Sequence, residues 1–347
     1  MTNGVREVRF LLMGAGNVGR HFLELLPATQ ERLSSRLGLA LVAAGVADRS
    51  GAAVCPDGLD PRQVVDLKRK GLGVGAYPGC GRPGMSALEM VQETDADLLL
   101  DASPGNLESG QPGLGCVEAA LGRGLHVVMA NKAPLALAFP RLTALAREQG
   151  VRLRYDATVA GGLPAVNLGE RDLATTHIQR LEGILNMTAN YILARMAEGQ
   201  SYKEALAHAQ AAGHAETDPR LDVEGWDAAI KLVILANGAL GQPATLDDVA
   251  VEGILGVTPD MLRTELERGR RYKHLAVAEH GPEGYSLRVE PVALDAAHPL
   301  AQLGAEQMGI VFETDISGTI SAAIVEETPM PTAAALLRDV VEIFRQD

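Results

Sequence analysis

A lysine and an aspartate spaced four residues apart form the pair in this sequence best suited to proton transfer. Asp227 and Lys231 lie in a predicted helix, and this spacing places both side chains on one helical face. The apolar run 232–236 continues the same segment, so the helix is apolar on every side and is predicted to be buried. A buried lysine needs an anionic partner or a lowered pKa. We therefore predict a general acid–base pair; the competing interpretation is an exposed ion pair.

A glycine-rich turn near the N-terminus connects the apolar segment 8–13 to a helical pattern over residues 18–37. It reads Gly14-Ala15-Gly16-Asn17-Val18-Gly19. In this G-x-G-x-x-G pattern the first glycine permits a tight turn, the second lets the backbone approach a pyrophosphate, and the third lets helix and strand pack closely. A phosphate then meets the N–H groups at the start of the helix. We predict a nicotinamide dinucleotide site; the competing interpretation is a turn that binds no ligand.

Polar residues also follow the next predicted strands, at the edge where open α/β sheets bind ligands. Asp48 and Arg49 follow the second strand. An acidic residue there accepts hydrogen bonds from the ribose hydroxyls of NAD, whereas an arginine suits the extra phosphate of NADP. Because both types stand side by side, the sequence leaves the coenzyme open. Lys132 follows the fourth strand and is a second candidate, although an ordinary surface lysine is an equal alternative.

The apolar segments around these residues predict an α/β fold with two domains. In residues 1–150 strands alternate with helices, which implies βαβ units and a parallel sheet of the Rossmann type for dinucleotide binding. Residues 151–330 are predicted to form an α+β domain for catalysis and dimerisation, and the helix in 331–347 to return to the first domain. The Gly- and Pro-rich segment 51–86 is predicted to be loop with one short helix, mobile or ordered by ligand near 71–84.

Charge and composition exclude several other classes of protein. The formal net charge of −13 argues against nucleic-acid binding, which needs a basic face. The apolar runs are about half the ~20 residues of a membrane span, and the N-terminus lacks the order of a signal peptide. Cys55, Cys80 and Cys116 are widely spaced and odd in number, so neither a disulfide framework nor a zinc site is predicted. We expect a cytoplasmic protein.

The chain resembles homoserine dehydrogenase from its first strand to near its C-terminus. The block from Glu216 to Lys231 is the most specific part of the likeness. The other matching motifs are Ala130-Asn131-Lys132-Ala133-Pro134, Thr158-Val159-Ala160-Gly161-Gly162-Leu163-Pro164, Glu182-Gly183-Ile184-Leu185-Asn186 and residues 188–193.

The resemblance implies reversible reduction of L-aspartate 4-semialdehyde to L-homoserine with NADP or NAD. In amino-acid biosynthesis this is the branch-point step towards threonine, methionine and isoleucine. It further implies that Lys231 donates the proton to the developing alkoxide and that Asp227 orients this lysine. Lys132 would assist near the reacting carbonyl and contact the cofactor. Ser103 would contact the cofactor.

Substrate and cation sites are also implied by the resemblance. Glu216 and Asp222 would hold the amino group of the substrate, since an ammonium needs carboxylate partners, and Thr188 would belong to the same site. A sodium-like cation would bind a carboxylate and three backbone carbonyls, ligands of the hard oxygen type that such ions take. These ligands map to the side chain of Asp156 and to the carbonyls of Val159, Gly161 and Leu163.

The resemblance also predicts a homodimer, formed through late strands between 275 and 291 and between 310 and 325. The chain ends where many relatives continue into a regulatory ACT domain, so feedback inhibition through such a domain is not expected. Met187 stands where the family usually has glycine, and His214 and Asp156 are further departures. Two alternatives are therefore kept: a dehydrogenase for another small semialdehyde or keto compound, and a non-catalytic, cofactor-sensing protein.

Overall fold

The computed structural model describes residues 5–345, which divide into two compact units. The first unit contains the described residues up to Gly162 together with those from Thr328 onward, and the second contains Leu163–Glu327. Residues 151–162, which we expected in the second domain, thus cluster with the first unit. The turn at Asp156–Thr158 packs against the last helix of the chain, which explains this assignment.

Thirteen strands occur in the described residues. They are β1 Arg6–Met13, β2 Leu39–Asp48, β3 Gly51–Leu59, β4 Gly81–Pro83, β5 Leu98–Asp101, β6 His126–Met129, β7 Leu153–Arg154, β8 Ile178–Ile184, β9 Val249–Val251, β10 Arg270–Gly281, β11 Gly284–Asp295, β12 Gln307–Thr314 and β13 Thr319–Val325.

Twelve α-helices accompany them in the same part of the chain. They are α1 Asn17–Leu37, α2 Pro61–Arg69, α3 Ala87–Glu93, α4 Gly113–Gly122, α5 Ala133–Glu148, α6 Ala165–Asn167, α7 Met187–Ala197, α8 Tyr202–Ala211, α9 Arg220–Val223, α10 Trp226–Gly238, α11 Pro259–Glu267 and α12 Met330–Phe344. None of the helices in residues 5–345 is long and apolar enough to cross a membrane.

The first unit contains a seven-stranded sheet in the order β4-β3-β2-β1-β5-β6-β7. Strands β2, β1, β5, β6 and β7 pair in parallel, as the alternation of strands and helices predicts. The buried core joins Phe10 of β1 to Phe22 of α1, whose ring centroids are 5.7 Å apart. Helix α12 adds Leu336, Val340 and Phe344 to this core. Each such buried side chain contributes roughly 1.5–3 kcal/mol to stability.

Within 51–86 the predicted short helix is present as α2, but the prediction of loop for the rest missed β3 and β4, and the sheet is mixed rather than all parallel. Strand β3 pairs antiparallel with β2, and β4 pairs antiparallel with β3. The register shifts so that Ala43 faces Leu59 while Gly45 faces Val54, which leaves the residues around Pro56 in a bulge. Proline and glycine at a bulge conceal the alternation that identifies a strand.

A disulfide that we did not predict connects Cys55 of β3 to Cys80, with the two Cα atoms 5.4 Å apart. The 25 residues of sequence that separate the two cysteines gave no indication of this pairing. Cys116 is buried and unpaired. The cysteine pair therefore connects β3 to the segment just before β4.

The second unit contains a six-stranded sheet in the order β13-β12-β8-β10-β11-β9. All of its neighbours are antiparallel except β11 and β9. The central strand β8 has no predicted counterpart, because charged residues interrupt its apolar pattern. One of them, Glu182, is buried, and it pairs with Arg180 at 2.7 Å and His298 at 2.9 Å.

Candidate active site

The glycine turn of the first unit has the geometry that its sequence predicts. Gly14 has a φ of +96°, and a Cβ there would lie 2.5 Å from the carbonyl oxygen of Ala102, the residue after β5. A Cβ at Gly19 would lie 1.9 Å from the carbonyl oxygen of Gly14. Only glycine fits at either position, so the turn lies close to both its own helix and the neighbouring strand.

The same turn leaves room for an anion at the start of α1. A Cβ at Gly16 would meet nothing within 4 Å, in contrast to the other two glycines. Gly16 is also the N-cap residue of α1, which has no side-chain cap and no acidic residue in its first turn. The first N–H groups of a helix attract phosphate through hydrogen bonds and the helix dipole. The turn therefore fits the pyrophosphate of a dinucleotide.

Asp48, at the end of β2, is surrounded by hydrogen-bond donors. Its carboxylate accepts from Lys68 Nζ at 2.5 Å, from the Ser50 N–H at 2.8 Å and Oγ at 2.6 Å, and from the Val74 N–H at 3.3 Å. Burial opposes ionisation, but the hydrogen bonds from Lys68 and Ser50 outweigh it and hold the pKa of Asp48 below its usual value. A carboxylate offers about four lone-pair positions, and four donors already use this one. Arg49 is exposed beside it.

A buried polar cluster connects the ends of β5 and β6. Asp101 is fully buried and accepts from Ser103 Oγ at 2.6 Å and from Asn131 Nδ2 at 3.1 Å. Burial raises the pKa of Asp101 to about 6, against the hydrogen bonds, which lower it. Asn131 Oδ1 in turn accepts from the Ala133 N–H at 3.1 Å. This cluster fixes the backbone on both sides of Lys132, which stands at the N-cap of α5.

The two side chains predicted to form an acid–base pair, Asp227 and Lys231, lie in contact in the second unit. Lys231 Nζ lies 2.8 Å from Asp227 Oδ2, and the two side chains are only 12% and 7% exposed. Nζ also donates to the carbonyl oxygen of Leu185 at 2.5 Å. Leu185 follows β8, so the ammonium connects helix α10 to the end of the central strand. The lysine is therefore buried and paired with a carboxylate, as predicted from the apolar helix.

Asn186 joins two aspartates of this unit, Asp222 and Asp227. Its Nδ2 donates to Asp222 Oδ1 at 2.6 Å and to Asp227 Oδ2 at 2.8 Å. Its Oδ1 accepts from the Ala189 N–H at 2.9 Å, which makes Asn186 the N-cap of α7. The arrangement is thus a connected series of Asp222, Asn186, Asp227 and Lys231. Its members come from α9, the end of β8 and α10.

A glycine between α9 and α10 permits this series to form. Gly225 has a φ of +91°, and a Cβ there would meet Val251 at 3.0 Å and His274 at 3.2 Å. The chain therefore turns sharply at Gly225, which brings Asp222 and Asp227 to the same amide.

The remaining predicted substrate residues lie around this series to different degrees. Thr188 is buried two residues after Asn186, and its hydroxyl donates to the His214 carbonyl at 2.5 Å. The ring of His214 stacks on Tyr191 and lies 3.2 Å from Glu306 Oε1. Glu216 is exposed in the loop before α9. The geometry therefore joins Thr188 to the site through the backbone, whereas the Glu216 side chain is exposed and makes no hydrogen bond or ion pair with this series among the described residues.

The residues expected to bind a sodium-like cation begin with Asp156 in the first unit. A guanidinium of the chain itself, that of Arg338 in α12, lies against the buried Asp156 carboxylate and donates to it. The Leu163 carbonyl, another expected ligand, accepts from the Ala165 N–H at 2.8 Å. No group of three or more His, Cys, Asp or Glu side chains within residues 5–345 is arranged to hold a metal. These residues do not fit a metal cation, because a positive group already contacts the carboxylate.

Four positions with clear structural roles were not singled out from the sequence. Lys68 and Asp101 gave no signal of their own, although Asp101 ends an apolar strand beside Ser103. Asn186 lies in a motif of the resemblance, but its bridging role depends on a turn between two later helices. The fourth is Arg338.

Comparisons with known proteins agree with this geometry over the whole chain. The family model described as homoserine dehydrogenase matches residues 164–341, and the model of the homoserine dehydrogenase NAD-binding domain matches residues 14–156. The chain is 37% identical to a homoserine dehydrogenase of Methanocaldococcus jannaschii, over 96% of this chain and 98% of that protein. It is 33% identical to an NAD(+)-dependent homoserine dehydrogenase of Pseudomonas canavaninivorans, over 98% and 97% of the two chains.

A solved structure shows the same arrangement of elements. A crystal structure from Archaeoglobus fulgidus, assigned provisionally as a homoserine dehydrogenase, superposes with a TM-score of 0.87 and is 36% identical. The match covers 98% of this chain and all of that one. The chain belongs to the homoserine dehydrogenase family, as an oxidoreductase with a nicotinamide-binding domain and a catalytic domain.

Proposed function

We propose that this chain interconverts L-aspartate 4-semialdehyde and L-homoserine with NAD or NADP, and that Lys231 carries the proton. The observation that supports the proposal best is the buried contact of Lys231 with Asp227 and the Leu185 carbonyl. A binding protein that only senses a cofactor has no need for such a group.

Lys231 is held in place by two oxygen acceptors. Contacts with Asp227 and with the Leu185 carbonyl fix the position of its ammonium, a group with N–H donors and no acceptor. A nicotinamide coenzyme held at the Gly14–Gly19 turn would supply the hydride that the aldehyde carbon needs. The carbonyl oxygen, which gains the electron pair of the C=O bond, takes a proton from Lys231 and becomes the hydroxyl of homoserine.

Asp227 assists this proton transfer both in the reduction and in the reverse oxidation. A carboxylate near an ammonium stabilises the charged form, so Lys231 begins the reduction protonated. In homoserine oxidation the neutral amine accepts the hydroxyl proton and again becomes an ion pair with Asp227. The low exposure of both side chains strengthens the interaction relative to an ion pair in water.

The substrate amino group would bind the carboxylates at the other end of the series. Asp222 is oriented by the Asn186 amide at 2.6 Å, and Glu216 adds a second negative charge from its exposed loop. Thr188 completes this set with its hydroxyl. Lys132, whose flanking backbone is fixed by the polar cluster around Asp101, would contact the coenzyme.

The surroundings of Asp48 favour NADP over NAD. A ribose hydroxyl would have to displace one of the donors that the Asp48 carboxylate already accepts from. Lys68 and Arg49 instead provide positive charge beside the position of the adenosine ribose. A phosphate on that ribose gains from such charges.

We further propose that the enzyme is a cytoplasmic homodimer. Strand β13 is one of the two outer strands of the six-stranded sheet; apolar Val325 at its end and Ile316 in the turn before it are 51% and 72% exposed. An unpaired edge with apolar side chains is a natural surface for a second copy.

Replacing the proton donor tests the mechanism. Lys231→Ala is expected to lower kcat by at least about 100-fold, the scale of general acid–base catalysis. Coenzyme affinity should change little, because Lys231 lies in the second unit and the glycine turn in the first. Steady-state kinetics and coenzyme titration measure the two effects. The exposed lysine of α8 provides a control, Lys203→Ala, which should be near normal. Near-normal turnover of Lys231→Ala would remove the proposed role.

Homoserine oxidation measured separately with NAD and NADP tests the coenzyme proposal. The chain is expected to have a lower KM for NADP than for NAD. Lys68→Ala should raise the KM for NADP about tenfold or more, because a hydrogen bond to a charged group is worth roughly 1.5–3 kcal/mol. The KM for NAD should stay the same or fall, since Asp48 gains acceptor capacity. Lys70→Ala, an exposed lysine beside the end of α2, should change neither value. A wild-type preference for NAD would contradict this reading.

The substrate assignment is tested with homoserine and a panel of close analogues. Met187 begins α7 beside Asn186, so its side chain is the group most able to change the pocket. L-Homoserine is expected to give the highest kcat/KM, and Met187→Ala should improve larger analogues more than homoserine. If homoserine gives no turnover while an analogue does, the alternative of a related dehydrogenase replaces the proposal.

Light scattering after size exclusion tests the dimer. At micromolar concentration the mass should be close to twice 36.5 kDa. Stable interfaces bury about 1,200–2,000 Å² in total, enough to persist at that concentration. A mass of one chain at the same concentration would count against the assembly.

A further inference from the structure

Two neighbouring residues of helix α12 hydrogen-bond to Asp156, one to its side chain and the other to its backbone N–H. The Arg338 guanidinium donates to the side chain of Asp156, and Asp339 Oδ2 accepts from the Asp156 N–H at 2.9 Å. The Asp156 carboxylate is 0% exposed, whereas the Arg338 side chain is 35% exposed. Helix α12 therefore reaches Asp156 with a charged group that enters from the solvent side.

The guanidinium also contacts the backbone that follows Asp156. Its two terminal nitrogens lie 3.4 Å and 3.3 Å from the carbonyl oxygen of Gly162. The intervening turn is held in an unusual conformation, with φ values of +53° at Ala160 and +61° at Gly161. The planar guanidinium thus bridges the Asp156 carboxylate, which is an expected cation ligand, and the Gly162 carbonyl, which lies between the expected carbonyl ligands of Gly161 and Leu163.

A metal ion and this guanidinium would compete for the same negative charge. A buried carboxylate requires a positive partner, because charge is costly to hold away from water. Once Arg338 supplies that partner, a second cation beside Asp156 would be repelled by a like charge a few ångströms away. Arginine is well suited to this position, since it stays protonated and binds oxygens in a planar fork.

We propose that Arg338 is a built-in cation, which takes the structural role of a bound sodium-like ion at the Asp156–Gly162 turn. The chain then needs no added monovalent metal ion for stability. The inference rests on contacts within the first unit and does not depend on the proposed reaction. Asp339 adds a second buried carboxylate nearby. Retention of a metal in addition to the guanidinium is therefore the competing outcome that the experiment has to detect.

Thermal unfolding of the full-length protein in different salts tests the proposal. Wild type is measured in sodium, potassium and choline chloride at equal ionic strength, and its Tm is expected to be the same in all three. Arg338→Ala should lower the Tm in choline chloride by about 5 °C or more, as for loss of one partner of a buried ion pair. Sodium or potassium should restore a saturable part of this loss by entering the vacated position.

Two further variants separate the role of the cation from general loss of an ion pair. Arg338→Lys keeps a positive charge and should remain insensitive to the choice of cation. Arg154→Ala removes the pair of Arg154 with Glu342, at 2.8 Å, between β7 and the same helix. The Tm of Arg154→Ala is expected to fall equally in all three salts, without rescue by sodium.

Two outcomes would overturn the proposal. One is saturable stabilisation of wild type by sodium or potassium over choline, which would show that a metal ion still binds. The other is a variant Arg338→Ala whose Tm does not depend on the cation, which would show that the guanidinium replaces nothing. If Arg338→Ala does not fold, the wild-type comparison and a sodium-23 NMR titration of wild type decide between a bound metal and none.

Discussion

The buried ammonium of Lys231 is the constraint on which the catalytic unit depends. An apolar helix can carry a lysine into the interior only if other elements bring oxygen acceptors to it. Here α10 provides Asp227 itself, and the end of β8 provides the Leu185 carbonyl. The capping of α7 by Asn186 and the turn at Gly225 then follow as conditions for satisfying the same carboxylates. The elements that surround Lys231 in this unit are therefore positioned to satisfy its charge and that of its aspartate partner.

The first unit depends on the close approach of backbone segments rather than on a buried charge. Gly14 and Gly19 allow a strand, a turn and a helix to meet at distances that no side chain permits. This close approach leaves the first turn of α1 next to the open space at Gly16. The buried cluster of Asp101, Ser103 and Asn131 then fixes the adjoining edge of the sheet. In the proposed function the first unit would supply N–H groups to an anion and the second would supply a proton, so the two chemical demands would be divided between the two units.

Local patterns predicted the parts of the fold in which each residue's neighbours in sequence decide its structure. The first strand and helix were expected over 8–13 and 18–37 and occur at Arg6–Met13 and Asn17–Leu37. Strand β3 was missed because its bulge contains Pro56, and β8 because its buried charges find partners far along the chain. The site residues show the same contrast between local contacts, which the sequence predicts, and distant contacts, which it does not. Lys231 and Asp227 are one helical turn apart, whereas Asn186 meets Asp227 across 41 residues and Arg338 meets Asp156 across 182.

The path of the chain through the two units has a consequence for how the protein is made. The first unit begins the sequence and is completed by α12, so residues 163–327 are an insertion within it. During synthesis, at about 5–20 residues per second, the strands β1–β7 emerge long before the helix that covers them. Throughout that interval Asp156 has no Arg338 to meet. The nascent first unit must therefore keep this region open to water, and its final closure waits for the last helix to leave the ribosome.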